Sequence, residues 1–560
     1  MEHEKQLKTD GAVDVDVDVL DRTTSGIQQG VLYENADNLH RRLGNRQIQL
    51  MAMGGSIGTA IFISIGNALA AGGPGSLLIA YTLYTLVLIC INNCAAEMTI
   101  QHPVSGGFIR LAGKWVDDAL GFMVGWNFFI YEALLIPFEI TALNLVIHFW
   151  TDKIPVAAIC VICIVCYGAL NILAVRVYGE AEFWLCSGKV LLLIMMFFFT
   201  FITMVGGNPQ GHAYGFHSWK VAGAFAEHRT TGSLGRFEGF LACLWSASFT
   251  IVGPEYVSMA AAEAKRPRIV VKNAFKMVYW RYFCFFVLGA LCVGIVVPWN
   301  DPTLQAILAG TSLKSGAAAS PYVIAMTNMG IGVLPHFVTA LILTSIFSAG
   351  NTLTYCGTRS LYGLALEGRA PSILRRTTKS GVPIYALAVT MCFPFLSFLQ
   401  TSNSSSTVLT WLIDLITAGA LIDYLVVCIT FLCFYRACKV QGLDRRSLHY
   451  FGWFQPYCAW IGVVTMIIVL LFYGYTAFAP PTVAAFFQNY TMQLVAPILY
   501  LGWKLLKRTK MIKPEEVDLV WESPVIDAYE EGFQGEVVGF WTEMAQIFRF
   551  RRHKKNSQKD

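Results

Sequence analysis

The chain has 560 residues, of which 55% are hydrophobic and only 14% charged, and its mean hydropathy is +0.53. A soluble chain carries about 25% charged residues, so much of this surface faces something other than water, and an ordinary soluble domain is excluded. The net charge of +5 is small for the length, so partners must be read from where the charges sit; a lipid bilayer is expected and nucleic acid is not.

Residues 1–46 are polar and include the acidic run Asp14-Val15-Asp16-Val17-Asp18, as expected of a disordered cytosolic tail. A membrane-crossing helix needs about 20 mostly apolar residues. Runs of that kind lie at 48–70, 76–100, 120–149, 156–175, 183–205, 239–262, 278–298, 328–356, 383–400, 407–434, 456–478 and 484–506. They predict an all-α integral membrane protein with 12 transmembrane helices across 47–506, followed by a second tail at 507–560. Lys and Arg gather in alternate connections: Arg110 and Lys114; Lys265, Arg266, Arg268, Lys272 and Lys276; Arg369, Arg375, Arg376 and Lys379; Arg436, Lys439, Arg445 and Arg446. The two longest opposite connections hold only Lys220, Arg229, Arg236 and Lys314. This positive-inside pattern predicts that both termini are cytosolic.

The densest group of cysteines is Cys160, Cys163 and Cys166, inside an apolar run without His, Asp or Glu neighbours. Small buried hydrophobes fit it better than metal ligands, so no metal is expected.

Two expected spans are interrupted. The first holds Gly54-Gly55-Ser56-Ile57-Gly58-Thr59, and the sixth holds Phe249-Thr250-Ile251-Val252-Gly253-Pro254-Glu255. They lie five spans apart, at matching places if the first ten spans form two five-span repeats. Gly and Pro weaken a helix, and freed backbone groups in hydrocarbon cost several kcal/mol each, of order. In transporters with inverted repeats such paired breaks form the binding site near the bilayer midplane. The competing explanation is that the glycines only allow close helix packing.

Ionisable residues inside spans are costly and point to function. Glu132 and Glu139 share a face of span three, Lys189 lies in span five, Glu255 stands beside the second break, and Asp414 and Asp423 are in span ten. Burial strips an ammonium of hydration and favours its neutral form, which makes Lys189 a candidate proton carrier; a lysine snorkelling to the inner interface is the alternative. Glu139 and Glu255 could pair with Lys189, meet a substrate ammonium or cap loose backbone. Glu97, near an inner span end, suits a structural tie to loop groups.

Several motifs in order, from about 38 to 510, resemble the fungal amino acid permeases of the amino acid–polyamine–organocation superfamily. They are Asn38-Leu39-His40-Arg41-Arg42-Leu43 leading into the first break, Pro103-Val104-Ser105-Gly106-Gly107-Phe108, Pro137-Phe138-Glu139-Ile140, Ala262-Glu263-Ala264-Lys265-Arg266-Pro267-Arg268, Ser348-Ala349-Gly350-Asn351 and Gln455-Pro456-Tyr457. The resemblance implies a LeuT-like fold, a 5+5 inverted repeat plus two helices, and proton-driven amino acid uptake at the plasma membrane, with the proton as coupling ion and no other cofactor. It places Ser56, Ile57, Gly58 and Thr59 on the substrate carboxylate and the backbone around Phe249, Thr250, Ile251 and Gly253 on the ammonium and side chain. It puts Asn351 near the site and matches Lys189, Glu139 and Glu255 to proton coupling. Thr59-Ala60, Ile251 and Pro254 depart from the family pattern at the expected pocket. A dicarboxylic or broad substrate range fits the overall look, although no arginine is expected in the pocket. A receptor that kept the fold and lost transport is the second expectation. No nucleophile elbow or phosphate loop suggests an enzyme.

Overall fold

A computed structural model describes residues 41, 43–54, 57–151, 153–172, 175–308, 320–403, 405–478 and 481–532. Among them the regular structure is helical, and the only β contacts are two isolated bridges. Helix α1 (Asn45–Gly54) stops at the first break, and a π-helical turn (Ala60–Ser64) leads into α2 (Ile65–Gln101). Helix α2 is really two helices, because Gly73 takes φ 75° ahead of Pro74. Kinks at such pairs follow from the lost N–H and the ring of proline. The backbone groups freed there are bonded by a loop: Gly75 N–H donates to Ala224 O at 2.7 Å and Ala226 N–H to Gly72 O at 3.0 Å. The kink falls between the expected first and second spans.

Next come α3 (Gly107–Trp115), α4 (Asp118–Ile147), α5 (Val156–Ile172) and α6 (Val175–Met204). Asp117 caps α4 by accepting from Ala119 N–H at 3.1 Å, one of the donors a helix start leaves over. Helix α7 (Gly232–Thr250) ends at the second break, and α8 (Pro254–Ala260) resumes after it. Then follow α9 (Pro267–Arg281), a π-helical turn (Tyr282–Val287), α10 (Leu288–Val296) and α11 (Leu334–Leu366). The last elements are α12 (Ile384–Thr390) with a 3₁₀ segment (Phe393–Thr401), α13 (Ser405–Val440), α14 (Tyr457–Phe472), α15 (Val483–Lys507) and α16 (Ser523–Glu531).

Nine helices among the described residues are long and apolar enough to cross a membrane, and α5 is a shorter apolar helix. Helix α4 is the hub: 83% of its apolar window is buried, against 33% for Ile384–Thr401, and it packs most heavily on α11 and α13. Outer helices turn bulky apolar side chains outward, such as Val161 and Val165 of α5, Phe198 and Phe201 of α6 and Leu471 of α14. Lipid-facing residues have this character.

The described segments just before α1 and after α15 meet on one face. Leu43 N–H donates to Glu263 O and Lys265 N–H to Leu43 O, both at 2.9 Å, so the segment just before α1 is fixed rather than loose. Beyond α15 the chain folds back beneath the loops. Trp115 Nε1 donates to Asp518 O at 3.0 Å, Arg110 Nη2 to Glu522 at 3.0 Å, and Tyr529 OH to Lys265 O at 2.7 Å. The basic cluster 548–555 lies outside the described residues.

Candidate functional site

At the first break Ile57 and Gly58 are buried and not helical. Ser345 Oγ of α11 donates to the Ile57 carbonyl at 3.3 Å. Thr59 Oγ1 donates to Glu139 Oε2 of α4 at 2.6 Å. A Cβ added at Gly58 would stand 2.5 Å from Glu139 Oε1 and 3.0 Å from Ala349 Cβ, closer than real Cβ atoms come. Any larger residue must displace the Glu139 carboxylate and crowd Ala349, because α4 and α11 close on the backbone here. Lys189 of α6 is fully buried and acts electrostatically on Glu139. Ser56 lies outside the described residues.

At the second break Thr250 ends α7, and Ile251 and Gly253 carry non-helical angles. Gly253 has φ 154°, where side chains are disfavoured, and a Cβ there would collide with the guanidinium of Arg281. Pro254 takes the first position of α8, where a missing N–H costs nothing and the fixed φ suits a helix. Glu255 accepts from Gly253 N–H at 3.1 Å and from Tyr424 OH at 2.9 Å. Of the three roles open to Glu255 from sequence, it fills the backbone-capping one in this arrangement. Arg281 Nη2 approaches the Val252 carbonyl at 3.4 Å and acts electrostatically on Glu255. Thr250 receives a hydrogen bond from Tyr81 OH at 3.2 Å, and Ile251 is buried.

The two breaks converge on consecutive residues of α4. Phe249, half-buried at the end of α7, meets Phe138 edge-on at 5.3 Å, and Glu139 holds Thr59. Asn351 is placed differently from expectation. Its amide donates to Glu182 Oε2 at 3.0 Å and accepts from Asn171 at 3.0 Å, not from either break.

Two site residues were not singled out in the sequence. Glu182 of α6 is fully buried and accepts from Ser348 Oγ at 2.5 Å, Thr352 Oγ1 at 2.9 Å, Asn351 and the Cys186 thiol at 3.0 Å. It stands one residue before the expected fifth span, but α6 begins at Val175 and carries it inside. Its spacing of seven from Lys189 was the available signal, since residues i and i+7 share a helix face. Arg281, at the inner end of the expected seventh span, closes α9 and approaches the second break at the Val252 carbonyl.

The remaining ionisable groups divide. Glu97 makes a two-point ion pair with Arg445, at 2.6 and 2.7 Å, and accepts from Gly452 N–H at 2.8 Å, the structural tie expected of it. Asp423 accepts from Asn127 at 2.9 Å. Glu132 is fully buried, and among the described residues neither carboxyl oxygen has a hydrogen-bond partner.

Residues 47–514 match the amino acid permease family model. General amino acid permease AGP2 of Saccharomyces cerevisiae is 45% identical over 500 residues, covering 88% of this chain and 83% of that one. A proline-specific permease of Emericella nidulans is 36% identical, with 87% and 89% covered, and a dicarboxylic amino acid permease of Saccharomyces cerevisiae 34%, with 88% and 81%. Among solved structures, a manganese transporter of Eremococcus coleocola aligns with a TM-score of 0.51 at 13% identity, over 87% of this chain and 95% of that one, a likeness of fold alone. With its interrupted membrane helices and this match over most of its length, the chain belongs to the amino acid permease family and is a multi-pass membrane protein that transports amino acids.

Proposed function

We propose that the protein is a proton-coupled symporter importing L-amino acids across the plasma membrane, with both termini in the cytosol. The observation that carries the proposal is the meeting of both helix breaks at Phe138 and Glu139, with buried Lys189 acting on Glu139. The substrate carboxylate takes the N–H groups around Ile57, Gly58 and Thr59, as at other interrupted membrane helices. The ammonium and side chain lie toward Phe249, Thr250, Ile251 and Gly253.

Coupling follows from the hydrogen bond at the first break. An ionised Glu139 accepts from Thr59 and is attracted to Lys189. Neutralised by a proton, it loses that attraction and its hold on Thr59 weakens, so the first break changes shape with protonation. A secondary transporter needs this kind of link between ion and substrate.

Twelve spans follow if Ala60–Gln101 is divided at Gly73 and if α5 and α15 also cross. That division gives the first ten spans a LeuT-like repeat with a break in the first member of each half. The lysine and arginine bias of the loops puts the termini inside. The altered span-six residues Ile251 and Pro254 motivated the receptor alternative; Pro254 fits without strain at the first position of α8, which supports the transport reading. Relatives named for general, proline and dicarboxylic transport leave the substrate range broad.

The test is uptake of labelled glutamate and labelled phenylalanine by yeast lacking its own permeases, with and without a protonophore. Uptake of one or both that collapses with the protonophore is expected. Uptake indifferent to it would remove the coupling claim.

A further inference from the structure

Glu132 stands two turns from Glu139 on α4 and is wholly buried, with no hydrogen bond to either oxygen among the described residues. Among the described residues no cation acts on it electrostatically. It lies within electrostatic reach of Glu255 and Tyr256 on α8, Asp423 on α13, Cys356 on α11 and Tyr131 on its own helix. Arg281, the cation that acts on Glu255, is not among the groups acting on Glu132. Asp423 also has one oxygen, Oδ2, without a partner. Carboxylates gathered in a dry interior cannot all be ionised, because each charge loses hydration and repels the next. Glu255 has Arg281, Tyr424 and the Gly253 N–H to support its charge; Glu132 has none of these.

We propose that Glu132 carries a proton in this arrangement and moves it once per transport cycle, as a second proton site beside that of Glu139 and Lys189. The inference rests on the proton-coupled reading of the protein. The O–H proton is taken from water outside and released to water inside. The carboxylate it leaves is supported only when the bundle opens and hydrates it, and nothing else is consumed. Deprotonation in this arrangement would set Glu132 against Glu255 at the start of α8, so loss of the proton favours movement of that half-helix. A buried carboxylate with a purely packing role would be replaced by its amide without functional change.

The first arm of the experiment needs no substrate. The full-length protein, purified into lipid nanodiscs, is examined by hydrogen/deuterium difference infrared spectroscopy for the carbonyl band of protonated carboxylic acids. Wild type is expected to have a band component that Glu132→Gln lacks and Glu132→Asp keeps at a shifted position. Identical spectra for wild type and Glu132→Gln would overturn the proposal. In the second arm, proton and labelled amino acid fluxes are measured together in proteoliposomes, using whichever of glutamate or phenylalanine wild type takes up. The proton-to-substrate ratio is expected to fall by one proton in Glu132→Gln, with the pH profile of uptake flattened, and Glu132→Asp should restore both. An unchanged ratio and pH profile would also overturn it. A wild-type protein with no proton flux at all would sink the coupled reading instead, which keeps the two failures distinct.

Discussion

Gly58 illustrates how much one missing methyl decides. The resemblance placed Gly58 on the substrate carboxylate; the structure adds a nearer constraint, because even a Cβ there crowds Glu139 and Ala349. Overpacking of this kind costs about 1–3 kcal/mol. We expect Gly58→Ala to remain at the cell surface and to lose at least roughly tenfold in uptake, since displacing Glu139 disturbs Thr59 as well; unchanged uptake, measured with labelled amino acid at matched surface level, would show that the contact is soft. Sequence identified Gly58, Glu139, Lys189 and Glu255 because charge and glycine in mid-membrane stand out. Glu182 escaped because its helix begins 8 residues earlier than the apolar run at 183; Arg281 lies within the run at 278–298, and its approach to the second break shows only in the packing. Asn351 was placed near the substrate by resemblance alone, and only the coordinates reveal its bond to Glu182.

Among the elements, the helices were legible and their ends were not. Apolar runs mark what lies in lipid, whereas polar first turns such as Pro267-Arg268 of α9 extend helices beyond it. The break in α7–α8 was visible from Gly253-Pro254, but Arg281 as its neighbour needs the packing of α9. The tie between Glu97 of α2 and Arg445 binds the loop after α13 to the bundle, and Glu97 is fully buried. Removing one member of a buried pair leaves the other charge uncompensated and costs about 3–5 kcal/mol. Arg445→Ala should therefore lower the thermal unfolding midpoint of the purified protein and its surface level. A midpoint within error of wild type would mean that Glu97 finds another partner.

Over the whole molecule, the segment after α15 ties together loops distant in sequence, and nothing in its composition announced this. His102 is fully buried between Trp115 at 5.3 Å and Trp521 of that segment at 6.0 Å. Burial, with Arg268 adding repulsion, pushes its pKa from 6.5 down to about 4. The unfolded chain then binds more protons than the folded one between those values, so stability is complete above about 6.5 and is lost as pH falls toward 4. The shift corresponds to roughly 3 kcal/mol. Thermal stability of wild type in detergent should fall through this window, and His102→Phe should fall less; equal slopes would assign the acid sensitivity to other groups.

Proton coupling through Lys189 and Glu139 is tested most directly by comparing net accumulation with exchange in Lys189→Met. In vesicles holding a proton gradient, the variant should fail to concentrate labelled amino acid. It should still exchange internal for external substrate when the gradient is absent, because the breaks at Gly58 and Gly253 are intact. Accumulation equal to wild type would contradict the account and leave Lys189 as a buried structural lysine.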